Sequence, residues 1–214
     1  MPDSSNFSDA IPTDLLPHLA ASGLKPLVLA GCTLLPIVQG GMGVGVSAHR
    51  LAGAVAAMGG VGTLSSVDLR RHHPDLMERT EPLTKKVGGE AQSKAEIDAA
   101  NLEALEREVK AARAAAGGFG LIAMNVMRAV SEYAADVKRA LEAGVDMVVV
   151  GAGLPLDLPD LAAEHPKALL APILSDARGV QLLVRKWERK KRLPDAIVIE
   201  HPRYAGGHLG AAKI

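Results

Sequence analysis

Pro36–Gly45, PIVQGGMGVG, is a short apolar stretch that runs directly into four glycines. A glycine-rich turn after a strand lets backbone N–H groups approach a ligand closely, because no Cβ stands in the way. The same arrangement, an apolar run that ends in small or polar residues, recurs at Val61–Ser66, Leu121–Met127, Val148–Leu154, Leu169–Asp176 and Ile197–Gly210. The sequence therefore predicts strands that hold ligand-binding loops on one rim.

Composition and charge narrow the class of protein. Of the 214 residues 48% are apolar and only 2% are aromatic, which suits close packing of helices on strands. Lys plus Arg equals Asp plus Glu, 24 of each, so no net charge favours nucleic acid or an acidic membrane as a partner. The single Cys32 excludes an intramolecular disulfide and is typical of a reducing compartment. No apolar run reaches the ~20 residues of a membrane helix, and residues 1–20 lack the basic region and continuous apolar segment of a secretory signal, so we expect a cytoplasmic protein.

The order of apolar and helical segments predicts an α/β fold. We expect residues 1–26 to form an arm with a short helix near Asp14–Ala20, and residues 27–214 to form the main domain. The predicted strands are Leu34–Gln39, Val61–Leu64, Leu121–Asn125, Met147–Val150, Ala168–Ile173 and Ala196–Glu200. Helices lie between them, at residues 47–58 with Ser47 as N-cap, at 75–116 in two pieces divided by Gly88-Gly89, and at 131–143, 156–164 and 178–191.

Strands that alternate with helices make a parallel sheet, but their periodicity does not separate a doubly wound sheet from a β/α barrel. In either architecture ligands collect at the carboxyl ends of the strands, where the glycines lie.

The glycines of GGMGVG do not have the spacing of a dinucleotide site. Counted from Gly41, the G-x-G-x-x-G pattern needs a glycine where Val46 stands. Spacing alone leaves both a tight turn and a ligand loop open. GAGLP (Gly151–Pro155) and AGGH (Ala205–His208) are two further small-residue turns after strands. Three such turns lie at the same end of the sheet, and their small side chains would leave room there for a planar ring system.

His208, flanked by the glycines of AGGH, is the candidate general acid or base, because an imidazole exchanges protons near neutral pH. A hydrogen bond within its own loop is the alternative. Asn125, at the end of the third strand, has both a donor and an acceptor for a ligand ring, whereas Asp176 is interpreted as a helix cap. The histidines His72, His73 and His201 are interpreted as ordinary loop residues. No His-Glu-x-x-His spacing occurs and one cysteine cannot build a thiolate site, so no metal site is predicted.

Together, PIVQGGMGVGVSAHRLAGAVAAMGGVGTLSS, NVM, VVVGAGLP and EHPRYAGGHLG resemble the nitronate monooxygenase family, also called 2-nitropropane dioxygenase. The flavin-dependent enoyl-acyl-carrier-protein reductases share that scaffold. The resemblance covers about Leu34 to Gly210 and implies a TIM-type (β/α)8 barrel that binds FMN at its carboxyl rim. It also implies a flavoprotein that oxidises a nitronate with O2 to a carbonyl compound and nitrite. An enoyl reductase that uses NAD(P)H is the alternative implied by the same motifs.

The resemblance also implies roles for individual residues. The isoalloxazine ring would lie against Gln39, Gly40, Gly41 and Met42. Asn125 would contact the flavin, Gly151 and Ala152 would leave it room, and Gly206, Gly207 and His208 would form the substrate side.

Two departures from the family pattern are visible. Some nitronate monooxygenases have a histidine base at the position of Gly151, so the base here is expected to be His208. The chain also stops after about six β/α units, so that strands 7 and 8, whose loops hold the FMN phosphate in the family, are absent. An inactive barrel fragment is therefore a further alternative. The open edge of such a sheet predicts pairing with another copy of the chain.

Overall fold

The computed structural model of the chain describes residues 10–85 and 90–201, and it shows an α/β fold. The strands are β1 (Leu27–Leu29), β2 (Cys32–Leu34), β3 (Val61–Ser65), β4 (Leu121–Met127), β5 (Met147–Gly151), β6 (Leu169–Leu174) and β7 (Val198–Ile199). The helices are α1 (Leu16–Ser22), α2 (His49–Ala57), α3 (Pro74–Thr80), α4 (Glu90–Ala116), α5 (Tyr133–Glu142), α6 (Leu158–Leu161) and α7 (Ala177–Glu188).

Five strands form one parallel sheet in the order β3-β4-β5-β6-β7. Each strand pairs with the next one along the chain, as in a barrel, and the sheet curls into a half-barrel. The predicted α/β fold of TIM type, cut short, is therefore confirmed. The second to fifth predicted strands coincide with β3 to β6 within two residues, whereas the sixth shortens to the two residues of β7.

Side chains alternate between two apolar clusters on the two faces of the sheet. On the inner face, Val61, Leu121, Met147 and Leu169 are buried with the β1–β2 hairpin. On the outer face, Leu64, Met124, Val148 and Leu170 pack among the helices. Burial on both faces explains why the strands are continuously apolar in sequence.

The first predicted strand, Leu34–Gln39, is wrong in its bounds. Leu34 belongs instead to an antiparallel hairpin of β1 and β2, whose turn residues Ala30 and Gly31 have φ of 48° and 84°. Only a single parallel bridge follows, between Val38 and Val61. Pro36 has no N–H to donate, which helps to keep this stretch from forming a longer ladder. The hairpin buries its Cys32 and Leu34 in the inner cluster and so covers one end of the half-barrel.

Of the two predicted helix caps, the one at Ser47 is wrong and the one at Asp176 is confirmed. Ser47 is not the N-cap of α2, because that position is taken by Ala48 and no side chain caps the helix there. Asp176 is the N-cap of α7, and its Oδ1 accepts a hydrogen bond from the N–H of Gly179 at 2.6 Å. The region predicted at 75–116 contains α3 and α4, whereas Gly88-Gly89, the predicted point of division, lies outside the described residues.

Two residues within the expected N-terminal arm, Ala10 and Ile11, pack against the domain. Ala10 and Ile11 are buried, and the carbonyl of Ala10 accepts a hydrogen bond from the N–H of Gly120 at 2.9 Å. The division of the chain at residue 26 stays a prediction. No helix within residues 10–85 and 90–201 combines the length and the apolar character needed to cross a bilayer.

Candidate functional site at the carboxyl ends of the strands

The glycine loop, defined here as Gly40–Val46, lies over the carboxyl ends of β3 and β4. A Cβ added to Gly41 would stand 2.3 Å from the Cβ of Asn125, and one added to Gly43 would stand 3.1 Å from the Oγ of Ser65. Ser65 and Asn125 are neighbours in the β3–β4 register. The glycines therefore allow the loop backbone to approach the rim more closely than residues with side chains would.

Ser47 fixes the shape of the glycine loop. Its Oγ accepts hydrogen bonds from the N–H of Met42 and from Nε2 of Gln39, both at 2.8 Å, and lies 3.1 Å from the carbonyl of Gly40. Its backbone carbonyl accepts from the N–H of Ser65 at 3.0 Å, which ties the loop to β3. The serine that was expected to cap α2 instead closes the loop before it.

The side chain of Gln39 bonds to the protein at both of its polar atoms. Its Oε1 accepts a hydrogen bond from the N–H of Thr63 at 2.9 Å, and its Nε2 bonds to Ser47 and to the carbonyl of Gly40. The first predicted strand does not continue beside Thr63. The side-chain amide of Gln39 therefore supplies the acceptor for the N–H of this β3 residue. The structure places Gln39 at the root of the loop, and its contact with a flavin stays a prediction.

Asn125 carries an acceptor that lacks a partner. Its Oδ1 is buried and has no hydrogen bond within the described part of the chain, and the same holds for Oγ1 of Thr63 on the neighbouring strand. Buried polar side-chain atoms are nearly always hydrogen-bonded in folded proteins. Oδ1 of Asn125 is an exception. It is an acceptor without a partner among residues 10–85 and 90–201, on the inner face of the sheet and directly beneath Gly41.

The turn after β5 has a strained backbone and little room. Ala152 has φ of 56°, a left-handed conformation that non-glycine residues adopt at an energetic cost and that clusters at functional sites. A Cβ on Gly151 would stand 3.0 Å from Cδ1 of Ile173, so this side chain occupies the space beside the glycine. A histidine at position 151 would have to displace Ile173.

Arg128 braces the loops that follow β4 and β5. Its N–H donates to the carbonyl of Gly151 at 2.8 Å, and its guanidinium lies 4.7 Å from the centre of the Tyr133 ring. Its Nε is 3.4 Å from Oδ1 of Asp157, an ion-pair distance outside hydrogen-bond geometry. Burial raises the pKa of Tyr133, and the neighbouring Asp157 adds to the shift. This brace fixes the positions of Gly151 and Ala152 relative to Asn125.

A buried acid, Asp136, reaches the rim from the helical layer. Asp136 on α5 hydrogen-bonds Ser66, the residue after β3, and burial raises the pKa of its carboxyl to about 6. The bond to Ser66 opposes this shift, whereas the charges of Glu132 and Asp98 increase it. The N–H of Ser66 donates to the carbonyl of Asn125 at 3.0 Å, so the acid is linked to the site through one residue.

The predicted site residues separate into two groups. Gln39, Gly40, Gly41, Met42 and Asn125 are brought together at one part of the rim, and Gly151 and Ala152 lie at the end of the adjacent strand. Gly206, Gly207 and His208 lie outside the described residues.

His72 is a residue of this region that the sequence did not indicate. A Cβ on Gly45 would stand 3.4 Å from Nε2 of His72, and this nitrogen is buried without a hydrogen-bond partner among the described residues. The contact joins the glycine loop to the short 3₁₀ helix Leu69–His72, 27 positions away in the sequence. No local pattern signals such a contact.

A cavity of about 470 Å³ lies at the opposite end of the half-barrel. Most of its lining comes from the segments that lead into β5 and β6, residues 141–146 and 164–169, and the β1–β2 hairpin and Leu121 of β4 complete it. Cys32 also lines it, and burial raises the pKa of the Cys32 thiol. Ligand sites of β/α barrels lie at the carboxyl ends of the strands, so this cavity is not the candidate site.

Comparison with known proteins assigns the chain to a family. The family profile described as nitronate monooxygenase matches residues 28–214, nearly the whole chain. The chain belongs to the nitronate monooxygenase family. A search of curated protein sequences finds no match.

Two solved structures are similar to this family member to different degrees. FabK from Thermotoga maritima superposes with a TM-score of 0.51 at 20% identity, over 77% of this chain and 40% of its own. A nitroalkane oxidase from Streptomyces ansochromogenes matches at 16% identity and a TM-score of 0.31, over 77% of this chain and 64% of its own. The chain thus spans less than half the length of FabK. At 20% identity the likeness to FabK shows the fold alone.

The rim of this nitronate monooxygenase family member fits a flavin in two respects. The loop glycines have no side chains to cover their backbone groups, and Oδ1 of Asn125 is an acceptor without a partner among the described residues. A flavin ring has an N–H that can donate to such an acceptor. Another residue of the expected set, Gln39, supports the loop, and both polar atoms of its side chain are bonded within the protein.

Proposed function

We propose that the chain contains the flavin-ring side of an FMN-dependent oxidoreductase that oxidises alkyl nitronates with O2 to a carbonyl compound and nitrite. The observation that carries this proposal is the unpartnered Oδ1 of Asn125 beneath Gly41, at the carboxyl ends of parallel strands. Membership of the nitronate monooxygenase family supports it. Because the chain spans 40% of the length of FabK, the activity of the whole protein is part of the proposal.

The proposed roles follow from the geometry of the rim. Asn125 accepts a hydrogen bond from the cofactor ring, and Gly41 allows the loop backbone to lie close to it. Ser47 and Gln39 hold the loop in this shape. Arg128 keeps the β5 turn in place beside them. Bound FMN would supply the electron acceptor for nitronate and the electron donor for O2.

His208 is proposed as the acid or base, since the position that carries a histidine in some relatives is Gly151, whose space Ile173 occupies. His208→Ala is expected to leave FMN affinity unchanged and to lower turnover by about 10²–10⁴-fold. Unchanged turnover would remove His208 from the mechanism.

The reaction is tested with the purified chain supplied with FMN and propionate 3-nitronate, without nicotinamide. We expect nitrite to form together with uptake of O2, and Asn125→Ala to reduce both. Oxidation of NADH that depends on an enoyl thioester, with no nitrite from the nitronate, would replace the monooxygenase with a reductase. Absence of both reactions in FMN-loaded protein would contradict an enzymatic role for this chain.

The exposed edges of the sheet lead to a proposal about partners. Ile199 in β7 is 62% exposed and Val38, beside β3, is 51% exposed. Both belong to edges of a parallel sheet, which can pair with another strand. We propose that a second copy of the chain pairs there. Sedimentation velocity should then show concentration-dependent association that Ile199→Lys weakens and Leu182→Lys, on the exposed face of α7, does not. A monomer at all concentrations would contradict it.

A further inference from the structure

Glu108 on α4 is a buried carboxylate outside the barrel interior, and its side chain is only 1% exposed. Its Oε2 accepts a hydrogen bond from the N–H of His49 at 2.7 Å and lies 2.9 Å from Nδ1 of the same histidine. Its Oε1 lies 3.1 Å from Nε2 of His73, at ion-pair distance although outside hydrogen-bond geometry. A carboxylate is buried in a protein only where such partners compensate for the lost water.

The two histidines lie in the two segments that contact the glycine loop. His49 is in the helix that follows the loop, and His73 is in the segment against which the loop packs. His49 begins α2 two residues after Ser47, whose hydroxyl bonds to the loop at Met42 and Gly40. His73 directly follows His72, whose ring lies against Gly45. One carboxylate therefore contacts both the segment that leaves the loop and the segment on which the loop rests.

The contact with His49 also matches the chemistry of a helix start. The first N–H groups of an α-helix have no partner within the helix, and α2 has no side-chain cap of its own. The carboxylate of Glu108 takes the N–H of the first residue of α2 and places a negative charge at the positive end of the helix dipole. A residue of α4 thus does what Ser47 was expected to do.

We propose that Glu108 is a positioning residue for the glycine loop. It acts through His49 and His73 from the layer of helices outside the sheet. It holds the first turn of α2 and the 3₁₀ segment in a fixed relation, and so fixes the backbone between them. The inference rests on the proposed function in one respect, that this loop binds the flavin. Loss of the carboxylate is then expected to weaken cofactor binding although Glu108 does not touch the site.

The test compares Glu108→Gln with Glu106→Gln in the full-length chain. Glu106 is on the same helix, is only partly buried, and pairs with Lys110 and Arg139, so it is a matched control for loss of a carboxylate. FMN affinity is measured by titration of flavin fluorescence, and the visible circular dichroism of the bound flavin reports its surroundings. We expect Glu108→Gln to raise the Kd for FMN about tenfold or more and to change the dichroism, and Glu106→Gln to do neither.

A general loss of stability is separated from positioning by Val137→Ala. Val137 is fully buried on α5, so its truncation destabilises the fold without removing a contact of Glu108. If Val137→Ala lowers the urea midpoint as much as Glu108→Gln and weakens FMN binding equally, Glu108 has no special role and the proposal fails. An unchanged Kd in Glu108→Gln would also overturn it.

Amide hydrogen exchange of the apoprotein tests the same claim without a cofactor. Glu108→Gln should speed exchange in peptides that cover residues 40–49 and leave residues 147–151 of β5 unchanged. Equal exchange at residues 40–49 in the wild type and the variant would overturn the proposal. If the wild-type chain binds no FMN, the proposed function fails, whereas the exchange experiment still decides on Glu108.

Discussion

Gly41 and Gly40 are adjacent residues with different surroundings. A Cβ on Gly41 would lie 2.3 Å from the Cβ of Asn125, whereas a Cβ on Gly40 would meet nothing within 4 Å. Gly41→Ala must therefore push the loop or Asn125 out of place. We expect it to raise the Kd for FMN about tenfold, about 1.4 kcal/mol of binding free energy, while Gly40→Ala leaves it unchanged. Fluorescence titration measures both, and equal affinities would contradict the close approach.

Asp136 makes stability depend on pH. Its folded pKa of about 6 lies above the ordinary 3.8, so between these values the folded state holds the proton more tightly than the unfolded state. The contribution of Asp136 to stability is therefore most favourable below about pH 4, falls as the pH rises through 6, and carries the full penalty above about pH 7. Asp136→Asn removes this penalty.

Urea unfolding of Asp136→Asn and wild type at pH 4 and pH 8 measures the effect. We compare the free energy of unfolding of the variant minus that of the wild type at the two pH values. This difference should be up to about 3 kcal/mol larger at pH 8 than at pH 4. Asp160→Asn, an exposed carboxylate that pairs with Lys190, is the control and should show no such gain. If the variant and the wild type differ in free energy of unfolding by the same amount at both pH values, burial does not raise the pKa of Asp136.

At the scale of elements, α2 packs closely on β3 and α4 through glycines. A Cβ on Gly62 of β3 would lie 1.8 Å from the carbonyl oxygen of Ala52, and one on Gly53 of α2 would lie 2.6 Å from the Cβ of Ala115. Helix and strand backbones therefore meet without side chains between them. This packing brings α2, and with it Ser47 and His49, against the rim.

Gly62→Ala is expected to destabilise the fold by about 3 kcal/mol or more, because the obstructing atoms are backbone atoms that cannot rotate away. Gly40→Ala, at an open position, should change the free energy of unfolding by far less. Urea denaturation of the two variants gives the comparison. A Gly62→Ala protein as stable as the wild type would mean that α2 does not lie as close to β3 as described.

The elements also show what the sequence can and cannot predict. Continuous apolar runs such as Leu121–Met127 and Met147–Gly151 predict buried parallel strands, and both are present. The β1–β2 hairpin was missed because Leu27–Leu35 also reads as one apolar run, with the turn residues Ala30 and Gly31 as its weak signal. Ser47 was assigned to the helix after it because local pattern cannot show that its hydroxyl turns back to Met42.

At the scale of the whole molecule, the curled sheet brings together residues that are far apart in sequence. The sequence placed Gly41 and Asn125 at strand ends, and the parallel order of the strands then requires that both lie on one rim. The carboxylate of Glu108 behind that rim had no such signal, because its contact with His49 spans 59 residues and links two helices. Long-range polar contacts of this kind depend on the packing angle of helices, which periodicity does not give.

The central claim is that the carboxyl rim of this half-barrel holds a flavin ring, and titration of the purified 214-residue chain with FMN tests it most directly. The account predicts saturable binding of one FMN per chain, with a shifted visible absorption spectrum and quenched or enhanced flavin fluorescence. Asn125→Ala should weaken this binding. A spectrum identical to that of free FMN at every protein concentration, with no flavin retained by the protein on gel filtration, would contradict the claim.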